Sequence, residues 1–295
     1  MGPHHPRDAD HGTVSEMLIV DSQVHIWAAN TPGRPWAAGA NPHRPMPLDK
    51  DELLRDMDAA GVDRVVIVPP SLEGPRNDLA LAAAQAHPER YAVMGKIDAD
   101  PQKAKHLIAA WRHQPGMLGM RFNFKKKPET LTSGRVDWIW AAAEEAGIPV
   151  YIGVSHAMCG IIDGIAERHP ALRVTLDHLA LETRARDDEG FRDLDQLLAL
   201  AKRPNVAVKA SALPCYSTAP YPYRNLHLHL KRVYDAFGPQ RIFWGSDLSR
   251  LKGSYRECVT MFTEEMPWLS ATDLEWIMGR ALCEWLGWDT DQRRH

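Results

Sequence analysis

From residue 17 onward the chain alternates short, β-branched apolar runs with longer segments of helical period, and it does so eight times. The runs are LIVDSQVHI (18–26), RVVIV (64–68), YAVMGKI (91–97), LGMRFNF (118–124), VYIGV (150–154), RVTLD (173–177), VAVKA (206–210) and RIFWG (241–245). Apolar strands separated by helices need a parallel sheet whose faces the helices cover. The stretches between, such as DKDELLRDMDAAG (49–61), NDLALAAAQAHP (77–88) and VDWIWAAAEEAG (136–147), carry Asp or Asn near the start and Gly or Pro near the end, as helix capping requires. Eight such units predict a single (β/α)8 TIM barrel. The rival, an open doubly wound sheet, needs G-x-G-x-x-G after its first strand in its dinucleotide-binding form, and residues 25–36 contain none. The segment ATDLEWIMGRALCEWLGW (271–288) reads as a closing helix whose Trp and Leu residues pack on the barrel.

A length of 295 residues suits one barrel domain, expected over residues 17–288. A disordered tail is expected over 1–16, where His4, His5 and His11 sit among Pro, Gly and Asp, and a short C-terminal tail over 289–295. The net charge of -3 gives no electrostatic case for nucleic acid, so a small-molecule partner is expected. No apolar run approaches the roughly 18 residues of a membrane span, and the first residues lack the apolar core of a signal peptide. Cys159, Cys215, Cys258 and Cys283 are scattered without a C-x-x-C pair, against both a disulfide framework and a cysteine zinc site. These features fit a reducing cytoplasm, and a homo-oligomer is compatible with them.

Barrel enzymes hold their chemistry at the C-terminal strand ends. The first run ends in His25, with Trp27 two residues on, which alternation along a strand would turn into the same space. Arg121 lies on the fourth run, Ser155 and His156 follow the fifth, Asp177 and His178 end the sixth, Lys209 and Ser211 belong to the seventh, and Ser246, Asp247 and Arg250 follow the eighth. A single strand-end histidine is usually a hydrogen-bonded structural residue; three of them with Asp247 at one mouth read as a site. Asp247 stands out because a carboxylate behind a buried apolar strand is costly unless a charge, metal or water satisfies it. Arg121 and Lys209 have an equally good structural reading, neutralising buried acids such as Asp177 and Asp98.

Other signals are weaker. HLHL (227–230) contains His-x-His but opens a helix, where residues two apart diverge, so His227 and His229 are expected at the surface or in packing. The run KKK (125–127) reads as a solvated loop in which one lysine is placed to attract an anion. Trp138, Trp140, Trp276 and Trp285 follow helical spacing and belong to the core.

Taken in order, VDSQVHIW, GMRFNF, VTLDHLA, NVAVKAS and RIFWGSD resemble the amidohydrolase superfamily, in particular its lactonase branch, which includes L-fuconolactonase and 2-pyrone-4,6-dicarboxylate lactonase. The likeness spans residues 17–288. It implies hydrolysis of a lactone or related cyclic ester, with Asp247 as general base of raised pKa and His25 and His178 donating hydrogen bonds to the carbonyl. It implies a small, anionic substrate, with Arg121 and Arg250 on its carboxylate, Trp27 as a wall, and His156, Lys209, Tyr216 and Tyr223 around it. Metal-dependent members end the first strand in His-x-His, where this chain has His25 followed by Trp27. The cofactor is therefore open: a metal-free site is preferred, and one divalent ion such as zinc, held by His25, His156, His178 and Asp247, is the alternative. The rival functions are a metal-dependent decarboxylase of the same superfamily, an amide or imide hydrolase, and a non-catalytic binding barrel.

Overall fold

The structure is a computed structural model and describes residues 17–289. The expected N-terminal tail and residues 290–295 lie outside the described residues. All eight expected strands form: β1 (Val20–Val24), β2 (Arg64–Ile67), β3 (Tyr91–Gly95), β4 (Met117–Asn123), β5 (Val150–Gly153), β6 (Val174–Leu176), β7 (Val206–Ser211) and β8 (Ile242–Gly245). Each pairs in parallel with the next in chain order, giving one eight-stranded sheet with helices between the strands. This is the (β/α)8 barrel that the alternation predicts.

Local chemistry sets the element ends. Asp49 caps the helix Lys50–Ala60 by accepting from the amides of Asp51 and Glu52, and Gly61, at φ 77°, ends it in the left-handed conformation that glycine adopts without a Cβ penalty. The closing segment is helical from Ala271 to Leu286, interrupted by a π-type turn at Trp276–Arg280.

The core has two layers. Between sheet and helices lie residues such as Met57, Trp140, Ile162 and Trp244, while Val66, Met94, Tyr151 and Phe243 fill the barrel interior. The last helix presses Leu282 and Leu286 onto that interior cluster, and Trp288, just past its end, joins them and lies 5.2 Å from the Arg64 guanidinium at the start of β2. One end of the barrel is thus stoppered, and the other carries the strand C-termini.

Around the barrel the hydrogen-bond ladder runs unbroken from β1 to β8, but no ladder joins β8 to β1 among the described residues. That seam is held by individual bonds. The Asp247 amide donates to the Gln23 carbonyl at 2.9 Å, and the Asp21 carboxylate accepts from the Ser246 amide at 2.9 Å, from the Ser246 hydroxyl and from the Tyr255 hydroxyl at 2.7 Å. No helix of the described residues is long and apolar enough to cross a membrane.

Candidate active site

At the open end a cavity of about 280 Å³ lies over the strand C-termini, and His25, Trp27, Arg121, His178, Asp247 and Arg250 all border it. The chain reaches this arrangement through sharp turns. His178, Leu179 and Ala180 after β6 and Asp247 after β8 all have φ between 50° and 54°. Left-handed backbone costs a residue with a Cβ roughly 1–2 kcal/mol. The turns carry His178 and Asp247 over the barrel axis instead of letting the strands run on.

His25, His178, Asp247 and Gln23 converge on the cavity floor. His25 Nε2 is 3.3 Å from Asp247 Oδ1, and His178 Nε2 is 3.6 Å from Asp247 Oδ2. The Gln23 amide nitrogen lies 3.4 Å from His25 Nε2 and 3.3 Å from His178 Nε2. His25 Nδ1 is 2.6 Å from the Val68 carbonyl, which can only accept, so Nδ1 carries the proton and Nε2 a lone pair. Burial pulls His25 down to about 4 and His178 well below the usual histidine range, so both rings are neutral near pH 7. Burial pushes the Asp247 carboxyl up, but the positive charge of Arg250 beside it opposes this, and the group is held below the ordinary range. Arg250 Nη1 donates to Asp247 Oδ2 at 3.1 Å, while Oδ1 has no hydrogen-bond partner. The raised pKa expected for Asp247 is thereby reversed, and neutral His25 has no proton at Nε2 to donate to a carbonyl.

Beneath this floor lies a buried ionic layer. Lys209 Nζ is 2.7 Å from Asp177 Oδ1, and Arg121 Nε donates to Asp177 Oδ2 at 3.1 Å. Burial raises the Asp177 carboxyl, but the two cations more than reverse this and keep it ionised. Lys209 is fully buried, its ammonium 3.9 Å from the centre of the Tyr151 ring, and it does not line this cavity; it is a structural cation where substrate contact was expected. Arg121 does border the cavity, and its terminal nitrogens have no hydrogen-bond partner among the described residues. Asp98 takes no part; it is half-exposed, 3.7 Å from Lys103.

Three further expectations are corrected. His156 turns away, with Nε2 2.9 Å from the Leu179 carbonyl, because the left-handed turn after β6 brings that carbonyl to it. Tyr216 is fully buried, its ring 5.8 Å from the Arg250 guanidinium, and supports that arginine without facing the cavity. Tyr223 packs edge-on against Tyr221 with ring centres 6.1 Å apart. Trp27 borders the cavity as expected, but it lies beyond the end of β1. The residue that shares the floor with His25 is Gln23, two positions earlier on the strand.

Gln23 was legible in principle, since residues two apart on a strand face the same way. His43 was not. It sits in the long irregular loop after β1, borders the cavity, and has Nδ1 2.8 Å from Ser249 Oγ. From the lysine run, Lys125 and Lys126 both reach the cavity. Lys125 Nζ donates to the Leu181 carbonyl, and burial lowers it to about 8. The cavity wall thus carries Arg121, Lys125, Lys126 and Arg250 against the single carboxylate Asp247.

A divalent ion does not fit these residues. Among the described residues no three His, Cys, Asp or Glu side chains are arranged to hold one. His156 is bonded elsewhere, and the N–H groups of Gln23 stand against both remaining imidazoles.

A family profile described as Amidohydrolase matches residues 20–281. The chain is 26% identical over 260 residues to an L-fucono-1,5-lactonase of Burkholderia ambifaria, covering 80% of this chain and 82% of that protein. It is 26% identical over 206 residues to a 4-sulfomuconolactone hydrolase of Hydrogenophaga intermedia, covering 67% of this chain and 64% of that protein. Among solved structures, an amidohydrolase of Burkholderia multivorans with bound zinc superposes with a TM-score of 0.77 at 21% identity, over 92% of this chain and 99% of that one.

Proposed function

The chain belongs to the amidohydrolase family, and from that premise we propose that it is a hydrolase opening a small lactone, or related cyclic ester, that carries an anionic group. The observation that carries this reading is the pairing of an ionised carboxylate, Asp247, whose Oδ1 lacks a partner, with a cavity wall rich in Arg and Lys. The two curated relatives, named for a sugar lactone and a sulfomuconolactone, support the ester-opening reaction. The excess of positive charge favours a substrate of the charged kind.

In the proposed mechanism Asp247 Oδ1 takes a proton from water as the water oxygen attacks the lactone carbonyl carbon. The neutral rings of His25 and His178, their Nε2 atoms facing the Gln23 amide, stand beside the carboxylate and confine that water against Oδ1. Negative charge gathering on the carbonyl oxygen is stabilised by the cationic wall, chiefly Arg121. When the tetrahedral intermediate collapses, the ring carbon–oxygen bond breaks, and the departing alkoxide recovers the proton from Asp247, leaving a hydroxy acid.

Arg250 has a second part. Its bond to Asp247 Oδ2 weakens the carboxylate as a base in the free enzyme. A substrate anion that draws Arg250 toward itself raises the proton affinity of Asp247 at the moment the ester arrives. Trp27, flat and almost wholly buried, is the wall against the ring.

The test is a pH-stat assay of acid release from L-fucono-1,5-lactone, from carboxylated muconolactones and pyrones, and from neutral γ-lactones, with carbon dioxide monitored in parallel. Turnover of the anionic lactones with no carbon dioxide is expected. Carbon dioxide release from aromatic acids without lactone opening would replace this reading with a decarboxylase.

A further inference from the structure

We propose that the Gln23 amide stands in the place of a divalent ion, its two N–H protons occupying the imidazole lone pairs that a metal would otherwise bind. For activity this rests on the hydrolase reading above; for metal exclusion and ring tautomers it does not.

The orientation of the amide follows from its surroundings. The Gln23 carbonyl oxygen accepts from Lys209 Nζ. An ammonium has only donors, so the oxygen end must face it. Lys209 has no freedom to leave, being fully buried and 2.7 Å from Asp177 Oδ1. Flipping the amide would press an NH2 group against a buried cation and leave the oxygen against two lone pairs. The NH2 end therefore faces His25 Nε2 at 3.4 Å and His178 Nε2 at 3.3 Å.

Each imidazole is prepared to receive it. His25 is fixed as the Nδ1–H tautomer by the Val68 carbonyl. His178 Nδ1 faces Ser211 Oγ at 2.8 Å, and a hydroxyl can donate or accept. Gln23 decides the matter for His178: with an amide N–H at Nε2, the ring proton goes to Nδ1. One amide thus meets two lone pairs with two protons, and a cation placed among these atoms would meet N–H dipoles with their positive ends toward it. The chain Asp177, Lys209, Gln23, His25 and His178 passes charge compensation from the buried layer to the floor of the site without a metal.

The experiment compares the full-length wild-type protein with Gln23→Met, which keeps the length of the side chain without its N–H groups, and with Gln23→His. Each is incubated with excess zinc, passed through a desalting column and analysed for metal, with thermal melts reporting folding. The wild type is expected to hold well under one zinc per chain, and Gln23→His, which offers three imidazoles and a carboxylate, about one. Stoichiometric zinc on the wild type would overturn the proposal. Nitrogen-15 NMR of the rings supplies a readout that mere packing would not move. In the wild type both Nε2 atoms should appear as unprotonated, hydrogen-bonded acceptors. In Gln23→Met, His178 should become a mixture of tautomers while His25 stays as it is. An unchanged His178 would also overturn the proposal, whether or not the histidine variant folds. Wild-type activity, where measured, should survive exhaustive chelation; loss on chelation with recovery on zinc counts against the proposal, whereas failure to open any lactone would sink only the hydrolase reading.

Discussion

His25 Nε2 and Asp247 Oδ1 face each other at 3.3 Å with no hydrogen between them. The imidazole proton is on the other nitrogen, bonded to Val68, and the carboxylate is ionised. Two electron-rich atoms at this distance repel, and the fold holds them there by the left-handed turn at Asp247 and the bond from Arg250. A water that donates a hydrogen to Asp247 Oδ1 relieves the contact from the carboxylate side.

Replacement of Asp247 by asparagine is therefore expected to separate stability from activity. Loss of a general base typically lowers kcat by about 10² to 10⁴-fold. Asparagine also tolerates the left-handed backbone, and it removes the charge facing His25 Nε2 while giving up the ion pair with Arg250, so the thermal midpoint of Asp247→Asn should stay near that of the wild type. Steady-state kinetics and calorimetry check the two halves separately, and near-normal kcat would remove Asp247 from the base role.

Alkaline pH should weaken substrate binding. Burial lowers Lys125 to about 8, so its charge is present below that pH and lost above it. KM for an anionic lactone is expected to rise as the pH passes through that value, by about tenfold for one charge-assisted contact. Lys125→Met should show the raised KM already at pH 7 and no further rise above pH 8. A KM that is level across this range would exclude Lys125 from the anion site.

The buried pair of Lys209 and Asp177 predicts a structural phenotype, in line with the structural one of the two readings of Lys209. Lys209→Met fills the volume but leaves Asp177 with Arg121 alone, and breaking a buried pair costs about 3–5 kcal/mol. Denaturant unfolding should report that loss. If KM rose with stability unchanged, Lys209 would belong to the substrate after all.

Tyr255 lies outside the cavity, yet its hydroxyl is one of the donors that hold Asp21 at the seam between β8 and β1. Tyr255→Phe removes one bond to a carboxylate, worth about 1.5–3 kcal/mol. Since Asp21 in turn holds Ser246, the neighbour of Asp247, kcat should fall while KM changes little. Equal changes in kcat and KM would point to a general loosening of the mouth.

The barrel was legible because eight apolar runs with capped helices between them leave few other ways to bury their surface, and the strand-end rule then pointed to His25, His178 and Asp247. Alternation read forward from His25 leads to Trp27, whereas the β1 ladder stops at Val24 and the position paired with His25, Gln23, lies behind it. The partnership of Lys209 with Asp177, and the depressed proton affinity of Asp247, depend on residues from different strands and on turns with positive φ. Neither leaves a periodic trace. Glutamine, moreover, is neutral and commonplace in composition, so its importance here comes wholly from Lys209, which dictates which end of the amide faces the imidazoles.

The seam between β8 and β1 also bears on how such a barrel can be altered. Elsewhere the height of one strand against the next is locked by a ladder and moves only in whole residues, whereas here it rests on the bond from the Asp247 amide to the Gln23 carbonyl and on side-chain bonds around Asp21, which can be adjusted in small increments. Gly245 keeps the opening narrow, since a Cβ there would collide with Ser22 Oγ and stand 3.1 Å from Ser211 Cβ. Asp247 therefore hangs from the one joint of the described cylinder that behaves as a vernier. Substitutions at Ser22, Ser246 and Tyr255 offer a way to slide Asp247 by fractions of an ångström toward a smaller or larger ring while the pocket wall stays as it is.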